Sequence, residues 1–410
     1  MWTKKLYLNK NIWPFYLFWI CFFPPQLLEA ITPYSKIVFY SLQFVFFTFI
    51  AIVMIISCKI IYLSFYELSL ICLSVYGGIV CLLFSRDMIG SYAVNYIWPI
   101  VSVSIGIRFL CINNKSMLID SFRKYFVFLL YLNTFSMVLF PHGIIMSSYG
   151  ASIQRAFWLL GSKNIVSKTL PLFFLAIMLL FINNKMLGSV TMIICILVVA
   201  SMGSGGVELL SGSTTALVMS ATYFALMLLL IFSNKYILKF LSIFSPVNIA
   251  ILTGLLSYLI YLISQGKIKI VNTFLVLLGK DYTFSYRNTV WKAMVSCIKE
   301  NFGVGIGFQE LSLPLANIYT NQCYSFWGTL FVRMGIVGIL LWIIVFFFSY
   351  RNCEMTYCVR SICIALFMLM LYGLTNDFSW KYLIVLLSLI RVFGFSARDD
   401  SNNINLPVYE

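Results

Sequence analysis

"YSFWGTLFVRMGIVGILLWIIVFFFSY", residues 324–350, contains one charged residue, Arg333, in an otherwise apolar and aromatic run. A helix rises 1.5 Å per residue, so about 20 apolar residues cross a bilayer core. This stretch is long enough to do so, and comparable runs recur along almost the whole chain. Of the 410 residues, 61% are hydrophobic and only 10% charged, and the mean hydropathy is +0.96. No long polar region is left over to fold as a soluble domain. The expected fold is an all-α, polytopic membrane helix bundle, with residues 1–410 forming a single integral membrane domain.

Working outward from that run, the breaks between apolar stretches predict about twelve spans. They fall near residues 12–32, 37–57, 68–85, 91–110, 124–141, 166–182, 186–202, 213–233, 246–264, 325–348, 359–375 and 378–395. The basic start, "MWTKKLYLNK", precedes a first span holding Pro24 and Pro25, with no small-residue cleavage pattern behind it; it reads as an uncleaved helix. With that end inside, every inward loop carries Lys or Arg: Lys59, Arg108, Lys115, Arg123, Lys124, Lys185, Lys235, Lys239, Arg351 and Arg360. The short outward loops and adjoining helix ends hold only Lys36, Arg86, Arg333 and Lys381. This is the positive-inside pattern, and it places both termini in the cytoplasm.

Two outward loops break the pattern. Residues 141–168 hold Arg155, Lys163, Lys168 and the sole histidine, His142, with no acid. The longest loop, residues 265–324, holds Lys267, Lys269, Lys280, Arg287, Lys292 and Lys299 against Asp281, Glu300 and Glu310. Long loops cross regardless of charge, but arginines beside Trp and Gly also suit an anion site at the outer face. The net charge of +15 does not point to nucleic acid, because the aromatic residues lie in or beside apolar runs rather than on a basic soluble face. The eleven cysteines mostly sit in apolar runs, no CxxC occurs, and no metal is expected. Cys297 and Cys323 share the outer side, without spacing that requires them to pair.

Within the long loop, "RNTVWKAMVSCIKENFGVGIGF", residues 287–308, is the most polar well-patterned segment. Val290, Trp291, Met294, Val295 and Ile298 recur at helical spacing and define one face, with Arg287, Lys292, Lys299 and Glu300 on the rest. Ser285 is the expected N-cap, and Asn301 with Gly303 the expected stop. The spacing predicts an amphipathic helix lying in the membrane interface. GVGIG lacks the strand and βαβ unit of a dinucleotide fingerprint; its glycines suit a sharp turn or a close backbone approach instead. Arg333, about two turns into its span, has two readings side by side: a functional charge facing a cavity, or a side chain snorkelling to the outer headgroups.

The order of these features resembles the bacterial repeat-unit polymerases of the O-antigen and capsule pathways, in the superfamily that includes the O-antigen ligases. The resemblance rests on Arg287, Trp291 and Gly303 to Gly307 in a late outward loop. It rests also on "FPHGI" followed by "WLLGSKN" within residues 140–164, on "LLSGSTTALV" at 209–218, and on the run ending in Gly335 and Gly338. It covers about residues 140–345. The position where ligases carry a functional histidine is Tyr324 here, which favours polymerase over ligase.

The resemblance implies metal-independent, inverting glycosyl transfer at the outer face of a bacterial cytoplasmic membrane, with no cofactor. A growing glycan would move from polyprenyl (undecaprenyl) pyrophosphate to a lipid-linked repeat unit, alongside other polysaccharide-assembly proteins. Fixed cations would stabilise the departing pyrophosphate, with Arg287, Arg155 and Arg333 as catalytic candidates and Lys292 and Arg86 behind them. Glu310, Asp281, His142 and Tyr324 are the candidates for contacting or deprotonating the acceptor hydroxyl. From another class, a lipid-linked oligosaccharide flippase also has about twelve spans, but should have short outward loops.

Overall fold

The computed structural model describes residues 12–31, 34–56, 63–149, 153–201, 214–232, 235–265, 287–308, 311–313, 318–320 and 323–394. The chain is a helix bundle. Its early helices are α1 (Trp13–Phe22), α2 (Gln26–Ile31), α3 (Ser35–Ile56), α4 (Phe65–Phe84) and α5 (Ile89–Tyr92), then α6 (Trp98–Leu139), α7 (Lys163–Asn183), α8 (Lys185–Ser201) and α9 (Thr214–Ile231). The later ones are α10 (Lys235–Leu241), α11 (Pro246–Ser264), α12 (Arg287–Glu300), α13 (Phe326–Tyr350), α14 (Tyr357–Tyr372) and α15 (Trp380–Gly394). Two short antiparallel ribbons are the departure from an all-helical chain: β1 (Ile145–Tyr149) with β2 (Ile153–Phe157), and β3 (Leu311–Leu313) with β4 (Ile318–Thr320). Both lie in segments read from sequence as outward loops.

Five helices among the described residues are long and apolar enough to cross a membrane: Phe65–Phe84, Arg86–Leu139, Val166–Asn183, Pro246–Ser264 and Phe326–Tyr350. Their outer surfaces and those of α3 and α8 expose large apolar side chains, including Phe44, Val45, Val75, Leu83, Ile193, Leu197 and Leu255. Such surfaces suit contact with lipid rather than water. By contrast, α14 is buried on every side from Ser361 to Met370, and α15 from Tyr382 to Ile390, so these two helices form the centre of the bundle.

Three expected spans differ in detail. The one near residues 12–32 is α1 followed by α2, interrupted at Pro24 and Pro25, where proline can neither donate to nor fit within a continuing helix. Those near 91–110 and 124–141 run together as α6, broken only at Asn114 (φ −162°, ψ 103°). The Asn114 Oδ1 accepts from the Met117 N–H at 3.0 Å, so the residue that ends one helical stretch caps the next.

Helices α4 and α13 run antiparallel. Phe65 at the start of α4 stacks on Phe348 late in α13, at 5.5 Å between ring centroids. At the other end, the Tyr76 hydroxyl donates to the Met334 carbonyl at 3.0 Å, and the Ser85 Oγ accepts from the Phe308 N–H at 2.8 Å. That second end of the bundle gathers the end of α4, helix α12 and the start of α13. The opposite end carries the Arg108–Glu67 ion pair, at 2.7 Å, and Arg391, which donates to the Arg351 carbonyl at 2.8 Å.

Candidate functional site

Helix α12 spans Arg287–Glu300, within the stretch 286–301 whose periodicity predicts a helix, and its apolar face packs onto protein. Val290, Trp291 and Met294 are buried with Cys323 and Val332, and Val295 and Ile298 pack beside them together with Ile260 and Tyr261 of α11. The Trp291 Nε1 donates to the Cys323 carbonyl at 3.0 Å, tying the helix to the segment that leads into α13. Lys292, Lys299 and Glu300 are exposed, whereas Arg287 is half-buried. Ser285 lies outside the described residues, and the helix stops before Asn301 as expected.

The glycine loop after α12 enters a break in α13. Gly335 adopts φ 60° and ψ −163°, a conformation essentially reserved for glycine. In a continuous helix, Ile336 and Val337 would donate to Val332 and Arg333. Here Ile336 donates to the Phe302 carbonyl at 3.0 Å and Val337 to Gly303 at 3.4 Å, while the freed Val332 and Arg333 carbonyls accept from Ile306 at 2.8 Å and Gly307 at 3.0 Å. Two intrahelical bonds are thus replaced by four bonds to the loop. A Cβ on Gly305 would lie 2.6 Å from the Val332 oxygen, so the loop approaches as closely as only glycine allows. The close neighbour implied by GVGIG is therefore α13 itself. Because the N–H groups of Ile336 and Val337 are occupied by loop carbonyls, the second half of α13 offers them to no anion; anion recognition falls to side chains.

The break also sets Arg333. Its side chain is buried, with the guanidinium over the Phe308 ring at 4.9 Å and the Tyr96 ring at 5.5 Å, and hydrogen-bonded to the Tyr96 hydroxyl. Phe308 is delivered by the glycine loop and Tyr96 by the helical turns that precede α6. The side chain is enclosed by protein, which distinguishes it from one snorkelling out to headgroups.

Arg287 reaches the same region from above. Its guanidinium lies over the Tyr324 ring at 5.2 Å, and its Nη2 donates to the Asn376 Oδ1 at 3.2 Å. Burial pulls the Arg287 guanidinium below its ordinary value, partly opposed by Tyr324, Tyr372 and Asp377. Next to Asn376 is Asp377, in the turn between α14 and α15. Its Oδ1 accepts from the Thr329 hydroxyl at 2.6 Å, and the backbone of Cys323 and Tyr324 lies close enough to favour its charged form. Thr329 and Arg333 are four residues apart on α13 and therefore share a face, one turn from each other. Asp377 as a residue is only partly buried, yet burial is the largest influence on its carboxyl and pushes it up; the Thr329 hydroxyl, Arg333 and the backbone of Cys323 and Tyr324 pull the other way. The result is one carboxyl group within electrostatic reach of two arginines, at one end of an apolar bundle.

The other candidates fall at varied distances from this cluster along the fold. Tyr324 is in it, held at φ 51°. Arg86 is exposed beside Ser85, whose hydroxyl holds Phe308, and Lys292 is exposed one residue from the buried Trp291. Arg155 lies on β2, its backbone paired in register with Ser147, and His142 is exposed in the turn before β1. The ribbon they flank is fastened elsewhere, by the Trp158 Nε1 donating to the Phe140 carbonyl at 2.9 Å and Leu160 donating to the Asn133 Oδ1 at 3.0 Å. Glu310, Asp281 and most of "LLSGSTT" lie outside the described residues. Among the described residues no group of His, Cys, Asp and Glu could hold a metal ion, and Cys297 and Cys323 are free thiols.

Sequence reasoning missed Asp377, Asn376, Thr329, Tyr96 and Phe308. The legible signal is "LTNDFSW", residues 374–380, an Asn-Asp pair in a short turn between two apolar runs. No protein-family model, curated protein or solved structure matches the chain.

Proposed function

We propose that the chain is a multi-pass glycosyltransferase of the cytoplasmic membrane of a bacterium, a polymerase that joins lipid-linked oligosaccharide repeat units at the outer face. About twelve spans with both termini inside would place the end of α4, α12, the start of α13 and the α14–α15 turn together on that face. In this reading α12 lies along the membrane surface as the floor of the outer cleft, with its apolar side on the bundle.

The single observation that carries the reading is that Arg287 and Arg333, two guanidiniums held by aromatic rings and hydrogen bonds, both lie within electrostatic reach of Asp377. A pyrophosphate leaving a sugar carries its charge on oxygen atoms, which guanidinium binds bidentately without losing its proton. Preorganised cations in a poorly hydrated cleft stabilise that developing charge directly. The exposed apolar flanks of α4 and α11 would accommodate polyprenyl tails.

The deciding experiment incubates the purified protein with undecaprenyl-pyrophosphate-linked repeat units alone. Longer glycans are expected. A requirement for a lipid A core acceptor would make the protein a ligase, and movement of the lipid across proteoliposomes without a new bond would make it a transporter. Within the polymerase reading, Tyr96→Phe should slow chain extension roughly tenfold, the loss of one hydrogen bond to a charged group, while the ring contact and the yield of folded protein persist. Comparing initial rates and melting temperatures of the two proteins checks this.

A further inference from the structure

Arg287 and Arg333 account for the leaving group, but nothing so far receives the proton of the attacking hydroxyl. Of the groups the sequence offered for that task, His142 is exposed in the turn before β1, Tyr324 lies beneath the Arg287 guanidinium, and Glu310 and Asp281 lie outside the described residues. Asp377 is differently placed. It follows the residue that binds Arg287, it accepts from Thr329 one turn from Arg333, and part of its surface stays accessible. An ionised carboxylate has about four acceptor positions. The Thr329 hydroxyl occupies one, which orients the group and leaves acceptor positions for a further donor.

We infer that Asp377 is the general base of the transfer, accepting the proton of the acceptor sugar hydroxyl between the two arginines. The inference rests on the polymerase reading. In the step, the hydroxyl oxygen forms a bond to the anomeric carbon of the donor glycan as the bond from that carbon to the pyrophosphate oxygen breaks. The electron pair leaves with the pyrophosphate, which the arginines hold, and the proton passes to the Asp377 carboxylate and then to water. The upward push on its carboxyl by burial favours proton uptake, because a base works best when its affinity for protons approaches the working pH.

The groups facing Asp377 are Arg287 on α12, Cys323 and Tyr324 before α13, Thr329 and Arg333 on α13, and Tyr372 at the end of α14. Of these described groups, Asp377 is the carboxylic acid, the class of side chain that ordinarily titrates on the acidic side of neutrality. An acidic limb in the rate would therefore belong to Asp377. A base acts when ionised, so the rate should fall as pH falls through its raised value.

The test is Asp377→Asn in the purified full-length protein, assayed with the same lipid-linked repeat units. Asparagine keeps an oxygen to accept from the Thr329 hydroxyl. The expected result is a kcat roughly 10²–10⁴-fold lower, a KM that does not rise, an unchanged melting temperature, and loss of the acidic limb. Asp377→Glu should keep that limb and recover part of the rate. The inference is overturned if Asp377→Asn retains the rate and the limb, or if kcat, KM and melting temperature deteriorate together, which would make the carboxylate only a tie for the turn at 323–324. If the unaltered protein forms no glycosidic bond, the polymerase reading fails first, and this inference with it.

Discussion

Arg287→Ala is expected to lower chain extension by about 10²–10³-fold or more, the range for removing one preorganised group that stabilises transition-state charge. The protein should still reach the membrane in normal amount. Arg287 sits at the first position of α12 and contributes none of the buried contacts that hold that helix, which come from Val290, Trp291 and Met294. Its own contacts are with the Tyr324 ring and the Asn376 side chain. Burial already destabilises its charge, so the guanidinium is available for an incoming anion rather than saturated by a carboxylate partner. Arg287→Lys should recover little, because an ammonium cannot stack flat on Tyr324 and bond Asn376 while presenting a two-pronged edge to phosphate. Glycan length on gels, normalised to protein in the membrane fraction, is the measurement. Full-length polymer from Arg287→Ala would remove Arg287 from the mechanism.

The second large effect is structural. Gly335→Ala should cost roughly 3 kcal/mol or more of stability, combining a backbone conformation closed to alanine with overlap against a fixed backbone. A Cβ there would lie 2.6 Å from the Val304 nitrogen and closer still to the Gly303 oxygen, and neither atom can move without breaking the four loop bonds. Gly305→Ala should be comparable, since that residue also has positive φ (81°) and faces α13 backbone. Gly303→Ala is the internal control. A Cβ at Gly303 meets nothing within 4 Å and its φ is not in the left-handed region, so the change should fall within about 0.5 kcal/mol. Melting of the detergent-solubilised variants by size-exclusion chromatography would rank them. Equal melting of the Gly335, Gly303 and unaltered proteins would refute the interlocked loop.

The interlock and the arginine site are one construction. The loop that fills the break in α13 carries Phe308 beneath Arg333, so the Gly335 variant should also lose whatever activity survives its instability.

Much of this chain could be read locally. Hydrophobic runs about as long as a bilayer is thick give helices almost where expected, from α3 and α4 to α14 and α15. A 3.6-residue period places Val290, Trp291 and Met294 on the buried face of α12. Both signals depend only on neighbours within a few turns, because main-chain hydrogen bonding and helix amphipathicity are short-range. Arg287 stood out for the same reason, as a cation in an apolar neighbourhood. Sequence could not decide what its guanidinium meets: Tyr324 and Asn376 come from segments that approach only when α12, α13 and the α14–α15 turn pack together. Nor could it choose between the two readings of Arg333, which depend on whether a loop from 25 residues earlier folds over it to supply Phe308. Asp377 looked like an ordinary turn acid; enclosure by Thr329, Cys323, Tyr324 and the two arginines gives it its character. Local hydropathy therefore determined the helices, whereas the environment of each charge belongs to the tertiary structure, because desolvation and electrostatics depend on what surrounds a group in space.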